Sequence, residues 1–378
     1  MAMLAGPRQS GKTTTAKMYR PAESTYFNWD DQEDRLLLRA APSRLADKVG
    51  TDPANRRALV LDELHKNPKW RGWLKGFYDK HGAAFEVIVT GSARLAVFRR
   101  GGDSLLGRYY YYRHHPLSLG ELGVAPFTTK LFRIPVDSKD SFDTLLRFGG
   151  FPHPFLTARD ASHAKWRHTR RELILHEDLR DLSRVEDIAG MELLMKLLGD
   201  RAGGLLNYTN LAGDLNCSVD SVRRWVKLLE ALYYAYLIPP YTKKVARSLQ
   251  KMPKVFLWDW SEVPDEGSRF ENMIASHLLK SVHFWTDTGL GEYELYYVRD
   301  KQKREVDFLV TENGKPFLLA EAKTSETEPC KSLLYYNDVL KPVYCIQVVR
   351  DIKPAGRTIP DLKGCSAMSA KDFCGSLV

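Results

Sequence analysis

The sequence predicts an α/β protein of two or three domains. Three observations carry this. A glycine-rich stretch, Gly6 to Thr13, lies between a short apolar run and a helix-compatible run, Thr13 to Tyr19. Two later runs, Leu59-Val60-Leu61 and Val87-Ile88-Val89, have the unbroken apolar character of strands buried on both faces of a parallel sheet. In the last third, strand-like runs from Glu305 to Val310 and from Phe317 to Lys323 flank Asn313-Gly314, a hairpin signal. A length of 378 residues suits this domain count.

The glycine-rich stretch reads Gly6-Pro7-Arg8-Gln9-Ser10-Gly11-Lys12-Thr13 and fits G-x-x-x-x-G-K-[ST]. In strand–loop–helix context, the backbone N–H groups of such a turn point at phosphate oxygens, and the helix N-terminus adds its positive dipole end. The loop and Thr14 are the expected ATP cradle. Lys12 would reach the β- and γ-phosphates, and Thr13 would hold Mg²⁺ through its hydroxyl. Only five residues precede Gly6, so the first strand is expected to be very short. Whether a longer N-terminus belongs before it stays open.

Ser24 to Asp30 reads as a short strand, and Asp34 to Val49 has helical spacing. The buried run Arg57 to Leu61 ends in Asp62-Glu63, where ligands bind in open α/β sheets. Asp62 would support the Mg²⁺ shell and Glu63 would polarise the attacking water. Trp70 to Tyr78 is amphipathic. Phe85 to Thr90 is the next strand, expected beside the Asp-Glu strand. Ser92 is the first choice for a γ-phosphate sensor after it, with Thr90 the second. Arg108 is the arginine-finger candidate, because a guanidinium spreads charge over a phosphoryl transition state; Arg94, Arg99 and Arg100 compete for that role.

The combination G-P-R-Q-S-G-K-T, L-V-L-D-E-L-H, V-T-G-S-A and L-L-G-R followed by P-L-S-L-G-E-L resembles a group of prokaryotic AAA-type ATPases. In these proteins the ATPase domain is followed by a C-terminal domain of unknown function. The resemblance covers essentially the whole chain. It implies an ASCE-type P-loop NTPase core, with the P-loop strand beside the Asp-Glu strand region. Ring assembly is implied only by the family, and an arginine finger acting in trans needs such a neighbour.

Residues 136–250 are expected to form a helical linker and a winged-helix-like middle, after an ATPase domain at 1–135. Trp166 to Val185 is helical and charged, and Arg180 is a weak sensor candidate. Three helices lie between Met191 and Leu232, with a tight polar turn at Asn216-Cys217-Ser218 before the last. Arg223, Arg224 and Lys227 lie on that helix's polar face, where they suit either nucleic-acid phosphates or plain solvation. Tyr241 to Lys254 is a basic connector.

Residues 251–378 carry a second constellation. Glu271 lies on a helix. Asp307 and the pair Glu321-x-Lys323 lie on the two hairpin strands, a pattern that resembles the PD-(D/E)xK nuclease core. The resemblance implies a restriction-endonuclease-like α/β domain in which Glu271, Asp307 and Glu321 bind Mg²⁺ and Lys323 positions the water. Strand geometry adds a condition. With a plain two-residue loop, Asp307 would face Ala320 and point away from Glu321. A three-residue loop, Glu312-Asn313-Gly314, or an equivalent bulge, restores a common face. Charged residues that merely solvate an edge hairpin are the structural alternative.

The net charge is +9 and the pI about 9.1, a balance that favours polyanions such as nucleic acid. Hydrophobic residues make up 44%, enough for real cores, yet no segment approaches the roughly 18 apolar residues of a membrane span. Five scattered cysteines without C-x-x-C spacing predict reduced thiols and a cytoplasmic location. The expected function is an ATP-hydrolysing protein whose nucleotide state regulates DNA binding or cleavage by the C-terminal domain. The alternative is an ATP-dependent switch acting on a protein partner, with the nuclease-like domain as scaffold.

Overall fold

The apolar runs become strands as their patterns require. In the computed structural model, residues 1–19, 24–52, 54, 56–91, 105–123, 131–134, 141–178, 187–242 and 252–378 are described. Two units emerge, Met1–His115 and Pro116–Val378.

In the first unit, β1 (Ala2–Ala5) runs into the glycine-rich loop and α1 (Lys12–Met18) leaves it. Then come β2 (Ser24–Asn28), α2 (Gln32–Arg39) and α3 (Pro42–Val49). β3 (Arg57–Asp62), α4 (Trp70–His81), β4 (Phe85–Gly91) and β5 (Tyr110–Arg113) complete the unit. The helical pattern after Asp31 splits in two because Pro42 cannot continue a helix but suits the first turn of one. Asp31 caps α2, its carboxylate accepting the Glu33 and Asp34 N–H groups.

All five strands are parallel, in the order β2-β3-β4-β1-β5. The family resemblance implies the P-loop strand beside the Asp-Glu strand region; β4 lies between β1 and β3. A strand apolar on both sides is best used in the middle of a sheet, where helices cover both faces. Alternation divides the side chains accordingly. Leu59, Leu61, Val87 and Val89 pack with Trp73, Leu74 and Phe77 of α4, while Val60 and Ile88 face Ala16 of α1.

The second unit contains α5 (Ser141–Phe148), α6 (Pro152–Thr157) and α7 (Asp160–Leu173), which continues as a wider helical turn through Ile174–Asp178. Arg180 falls outside the described residues. Next come α8 (Ile188–Asp200), α9 (Tyr208–Asp214) and α10 (Val219–Ala231), then the antiparallel pair β6 (Ala235–Ile238) and β7 (Lys254–Leu257). Gly203 donates its N–H to Val255 at 2.8 Å and Gly204 accepts from Val255 at 3.1 Å, so a third short segment joins this pair. A boundary after residue 250 would therefore part β7 from its partner strand.

The rest is α11 (Glu266–Asp287), β8 (Tyr293–Arg299), β9 (Glu305–Glu312), β10 (Lys315–Lys323), α12 (Lys331–Leu340), β11 (Tyr344–Val349), β12 (Cys365–Ser369) and α13 (Ala370–Ser376). β8, β9 and β10 are antiparallel; α12 then carries the chain across so that β11 lies parallel to β10 and β12 parallel to β11. Met273, Ile274, Leu278 and Trp285 of α11 cover one face, with Phe308, Val310, Leu318 and Ile346 beneath them.

The β9–β10 hairpin departs from the three-residue loop. Lys315 pairs with Glu312, so only Asn313 and Gly314 form the turn, and both have positive φ (49° and 76°), the type I′ requirement. Register is corrected further along. Pro316 faces Thr311 but Leu318 faces Val310, leaving Phe317 as an extra residue on β10. One step beyond the Ala320–Phe308 pair, Asp307 lies across from Glu321. The common face is thus made by a bulge, in the opposite sense to the three-residue loop.

The cysteine expectation is also corrected. Cys345 and Cys365 are cross-strand partners on β11 and β12 and form a disulfide; Cys217, Cys330 and Cys374 are free. Twenty residues separate the two in sequence, but the parallel crossover sets them side by side. Among the described residues no helix is long and apolar enough to cross a membrane.

His277 on α11 is buried with a fixed tautomer. Its Nδ1–H donates to the Met273 carbonyl at 2.8 Å, and Nε2 accepts the Leu119 N–H at 3.0 Å. Burial, first of all, pushes its pKa down to about 4 from 6.5. The unfolded chain therefore binds a proton that the fold refuses, so stability is lost as pH falls from 6.5 towards 4. The loss approaches about 3 kcal/mol at the acid end. Urea unfolding of the full chain between pH 7 and pH 4 is expected to show it, and His277→Gln should flatten this part of the profile.

Candidate nucleotide site and acid cluster

Because the sheet is parallel, β1, β3 and β4 all end at one edge, and the sequence-singled residues of the first unit gather there. The loop needs two glycines for different reasons. At Gly6 a Cβ would stand 2.1 Å from the His114 carbonyl oxygen; at Gly11 the backbone is left-handed, φ 102°. Gln9 is also left-handed at φ 62°. Pro7 and Ser10 are buried, Arg8 is half-buried, and Thr14 is exposed. The loop curls around the Lys12 ammonium, which donates to the carbonyls of Gly6 at 3.1 Å and Pro7 at 2.6 Å.

Asp62, at the end of β3, collects hydroxyls. Thr13 Oγ1 donates to it at 2.7 Å and Tyr26 Oη at 2.9 Å, both to Oδ2; Thr90 Oγ1 donates to Oδ1. Tyr26 and Thr90 are delivered by the strands on either side, since Asn28 and Thr90 both pair with Asp62. Burial, together with the Asp62 carboxylate, raises the Tyr26 pKa and keeps its phenol a donor. A threonine hydroxyl beside a carboxylate is an oxygen pair of the kind that holds Mg²⁺, so these residues fit the ion.

Glu63 leaves the strand in the left-handed region, φ 55°, which is sparsely populated for a residue with a Cβ. Its N–H bonds the Thr90 carbonyl at 3.1 Å. Its buried Oε2 lies 3.4 Å from Lys66 Nζ and 3.6 Å from His65 Nε2, yet makes no hydrogen bond. Burial raises the Glu63 pKa, and Lys66 pulls it back.

Ser92 lies outside the described residues, as do Arg94, Arg99 and Arg100; Thr90 is the strand-end hydroxyl whose contact is seen. Arg108 is not brought to the P-loop of its own chain. It precedes β5, at the opposite end of the strand from Arg113, which pairs with Ala5, and it is held by Asp79 at 2.6 and 3.2 Å. His114 is a residue that the sequence did not single out. Its Nδ1 meets Ser10 Oγ at 3.1 Å and its Nε2 meets Thr15 Oγ1 at 3.2 Å, clasping the loop to the end of β5.

In the second unit Glu271, Asp307 and Glu321 converge, and so does a lysine. Lys254, at the start of β7, is 3% exposed. Its ammonium stands 3.1 Å from Glu271, 2.9 Å from Glu305 and 3.0 Å from Asp307. Asp307 donates its N–H to Glu321 Oε2 at 3.1 Å and accepts the Ala322 N–H at 3.1 Å. Lys323 pairs with Glu321 at 3.0 Å. Burial and then Asp307 raise Glu271, while the three carboxylates raise Lys254 and hold it charged against the cost of burial. A divalent ion would need the oxygens that this ammonium already engages. As they stand these side chains do not fit one, and among the described residues no group of His, Cys, Asp and Glu is set to hold a metal.

Comparison with known proteins bears on the N-terminal domain. Residues 1–123 match the family model described as an AAA domain. The N-terminal part carries an AAA-type domain. That supports an ATPase. Residues 139–261 and 266–353 match two further models, each described as a domain of unknown function. An uncharacterized protein of Mycobacterium tuberculosis and one of Mycobacterium bovis are each 22% identical over 347 residues, spanning 88% of this chain and 72% of theirs.

The two ion-pair settings differ in burial, and their removal should differ in cost. Lys254→Met leaves three carboxylates facing one another and is expected to cost about 3–5 kcal/mol in chemical denaturation. Arg108→Ala breaks a solvent-exposed pair and should unfold close to wild type.

Proposed function

We propose that the protein is an ATP-hydrolysing switch whose nucleotide state governs DNA binding. The observation that carries the first half is the Asp62 carboxylate, ringed by Thr13, Tyr26 and Thr90 beside the Lys12 loop. In this reading the loop from Gly6 to Thr14 cradles the phosphates, and Lys12 releases its own loop carbonyls to meet them. Thr13 and Asp62 hold Mg²⁺, which supplies charge neutralisation at the phosphates. Glu63, with one oxygen unbonded, accepts the proton of the attacking water. Thr90 orients Asp62, and Ser92 is the proposed γ-phosphate sensor. Arg108 serves as a finger only for a neighbouring copy.

For the output, α8, α9, α10 and the β6–β7 pair are read as a winged helix. Arg223, Arg224 and Lys227 are exposed on α10 while Val222, Trp225, Val226 and Leu229 turn inward, so a basic face is available for phosphates. The order of α11, β8–β10, α12 and β11 is read as a nuclease-like scaffold. Lys254 among its acids favours binding over cleavage.

Lys12→Ala is expected to abolish ATP binding in equilibrium titration, and unchanged affinity would refute the P-loop reading. Glu63→Gln should bind ATP normally but hydrolyse it about 10²–10⁴-fold more slowly. Since its carboxyl is raised, wild-type turnover should fall as pH drops through that raised value, with the base becoming protonated. Duplex-DNA anisotropy tests the output. Arg223→Ala/Arg224→Ala/Lys227→Ala should weaken binding and flatten the salt dependence by roughly 0.9 per lost phosphate contact. A wild type that binds no DNA with or without ATP would favour a protein partner.

A further inference from the structure

The acid cluster of the second unit brings four carboxylates together: Glu271, Glu305, Asp307 and Glu321. A lysine ammonium has three donors and no acceptor. At Lys254 Nζ three carboxylates stand at 2.9 to 3.1 Å, so the donors are matched by as many acceptors. The side chain is buried, and the Tyr297 ring lies 5.9 Å from the ammonium. Glu321, the remaining carboxylate, is taken by Lys323 and by the Asp307 N–H. Each anion is thereby answered by the chain itself.

We propose that Lys254 is the resident cation of this cluster. Its ammonium fills the place that a divalent ion would take, so the cluster is a fixed joint between the β6–β7 pair and the β8–β12 sheet and not a metal-dependent catalytic centre. The joint explains why the carboxylates come from two sources. Glu271 belongs to α11, and Glu305 and Asp307 belong to β9, while the cation arrives on β7. Pulling β7 away would expose like charges with nothing between them. The inference does not depend on the nucleotide reading, because no residue of the first unit enters it.

The test titrates Mn²⁺ into the full-length, nucleotide-free protein, read by electron paramagnetic resonance and by thermal unfolding. Wild type and Asp307→Asn are expected to bind Mn²⁺ alike. Lys254→Met keeps the stem and removes the charge; it should gain a bound Mn²⁺, and Mn²⁺ should raise its unfolding temperature. Adding Asp307→Asn to Lys254→Met should erase both gains. A wild-type Mn²⁺ site lost in Asp307→Asn overturns the proposal, and so does a folded Lys254→Met that gains no Mn²⁺. Should Lys254→Met fail to fold, the comparison of wild type with Asp307→Asn decides alone.

Discussion

A charge taken out of water has to be met by opposite charge or by hydrogen-bond donors, because unmet desolvation costs several kcal/mol. Each unit of this chain is arranged around one such demand. In the first, Asp62 sits at 5% exposure and is met by neutral hydroxyls from α1, β2 and β4. Hydroxyls orient a carboxylate without bringing a counter-charge, so a cation approaching the loop finds its oxygens already held in place. In the second, Lys254 is met by full carboxylates, and its charge is spent inside the fold. Hydroxyl partners leave a site open for chemistry, whereas ionic partners close it.

The strand interiors and the loop were legible because their signals are local. Gly6, Gly11, Lys12 and Thr13 are constrained by backbone φ, close approach and phosphate chemistry within a few residues, and the buried runs at Leu59 and Val87 announce strands by composition alone. What escaped is set by partners distant in sequence. His114 reaches the P-loop only because β5 pairs with β1, a neighbour more than a hundred residues away. Tyr26 meets Asp62 through strand order. β4 takes the place next to β1, a pairing that the composition of neither strand specifies, since β3 is equally buried.

The same contrast governs the second unit. Glu271, Asp307, Glu321 and Lys323 could be singled out by type and spacing, and they do converge. Lys254 read as one more charge in a basic connector, since nothing in its immediate surroundings marks a buried lysine. Only the pairing of β7 with β6, and the passage of α11 over the sheet, bring it among carboxylates. Cys345 and Cys365 belong here too: their spacing carries no motif, and the β11–β12 register alone makes them neighbours.

Phe317, the extra residue on β10, makes the hairpin a counting device. Side chains alternate from face to face along a strand, so whether Asp307 shares a face with Glu321 depends on the number of residues between them together with the turn and the bulge that take them up. The turn at Asn313-Gly314 by itself gives the wrong parity, and the bulge supplies the missing step. Deleting Phe317 would close the bulge and set Glu321 across from Asp307 in a plain hairpin, so the shared face survives, whereas a deletion beside a bulge that persists would turn Glu321 to the far side of the sheet. The bulge is thus an adjustable register step: it can take up the loss of one residue from β10, a tolerance that the tight turn at Asn313-Gly314 does not share.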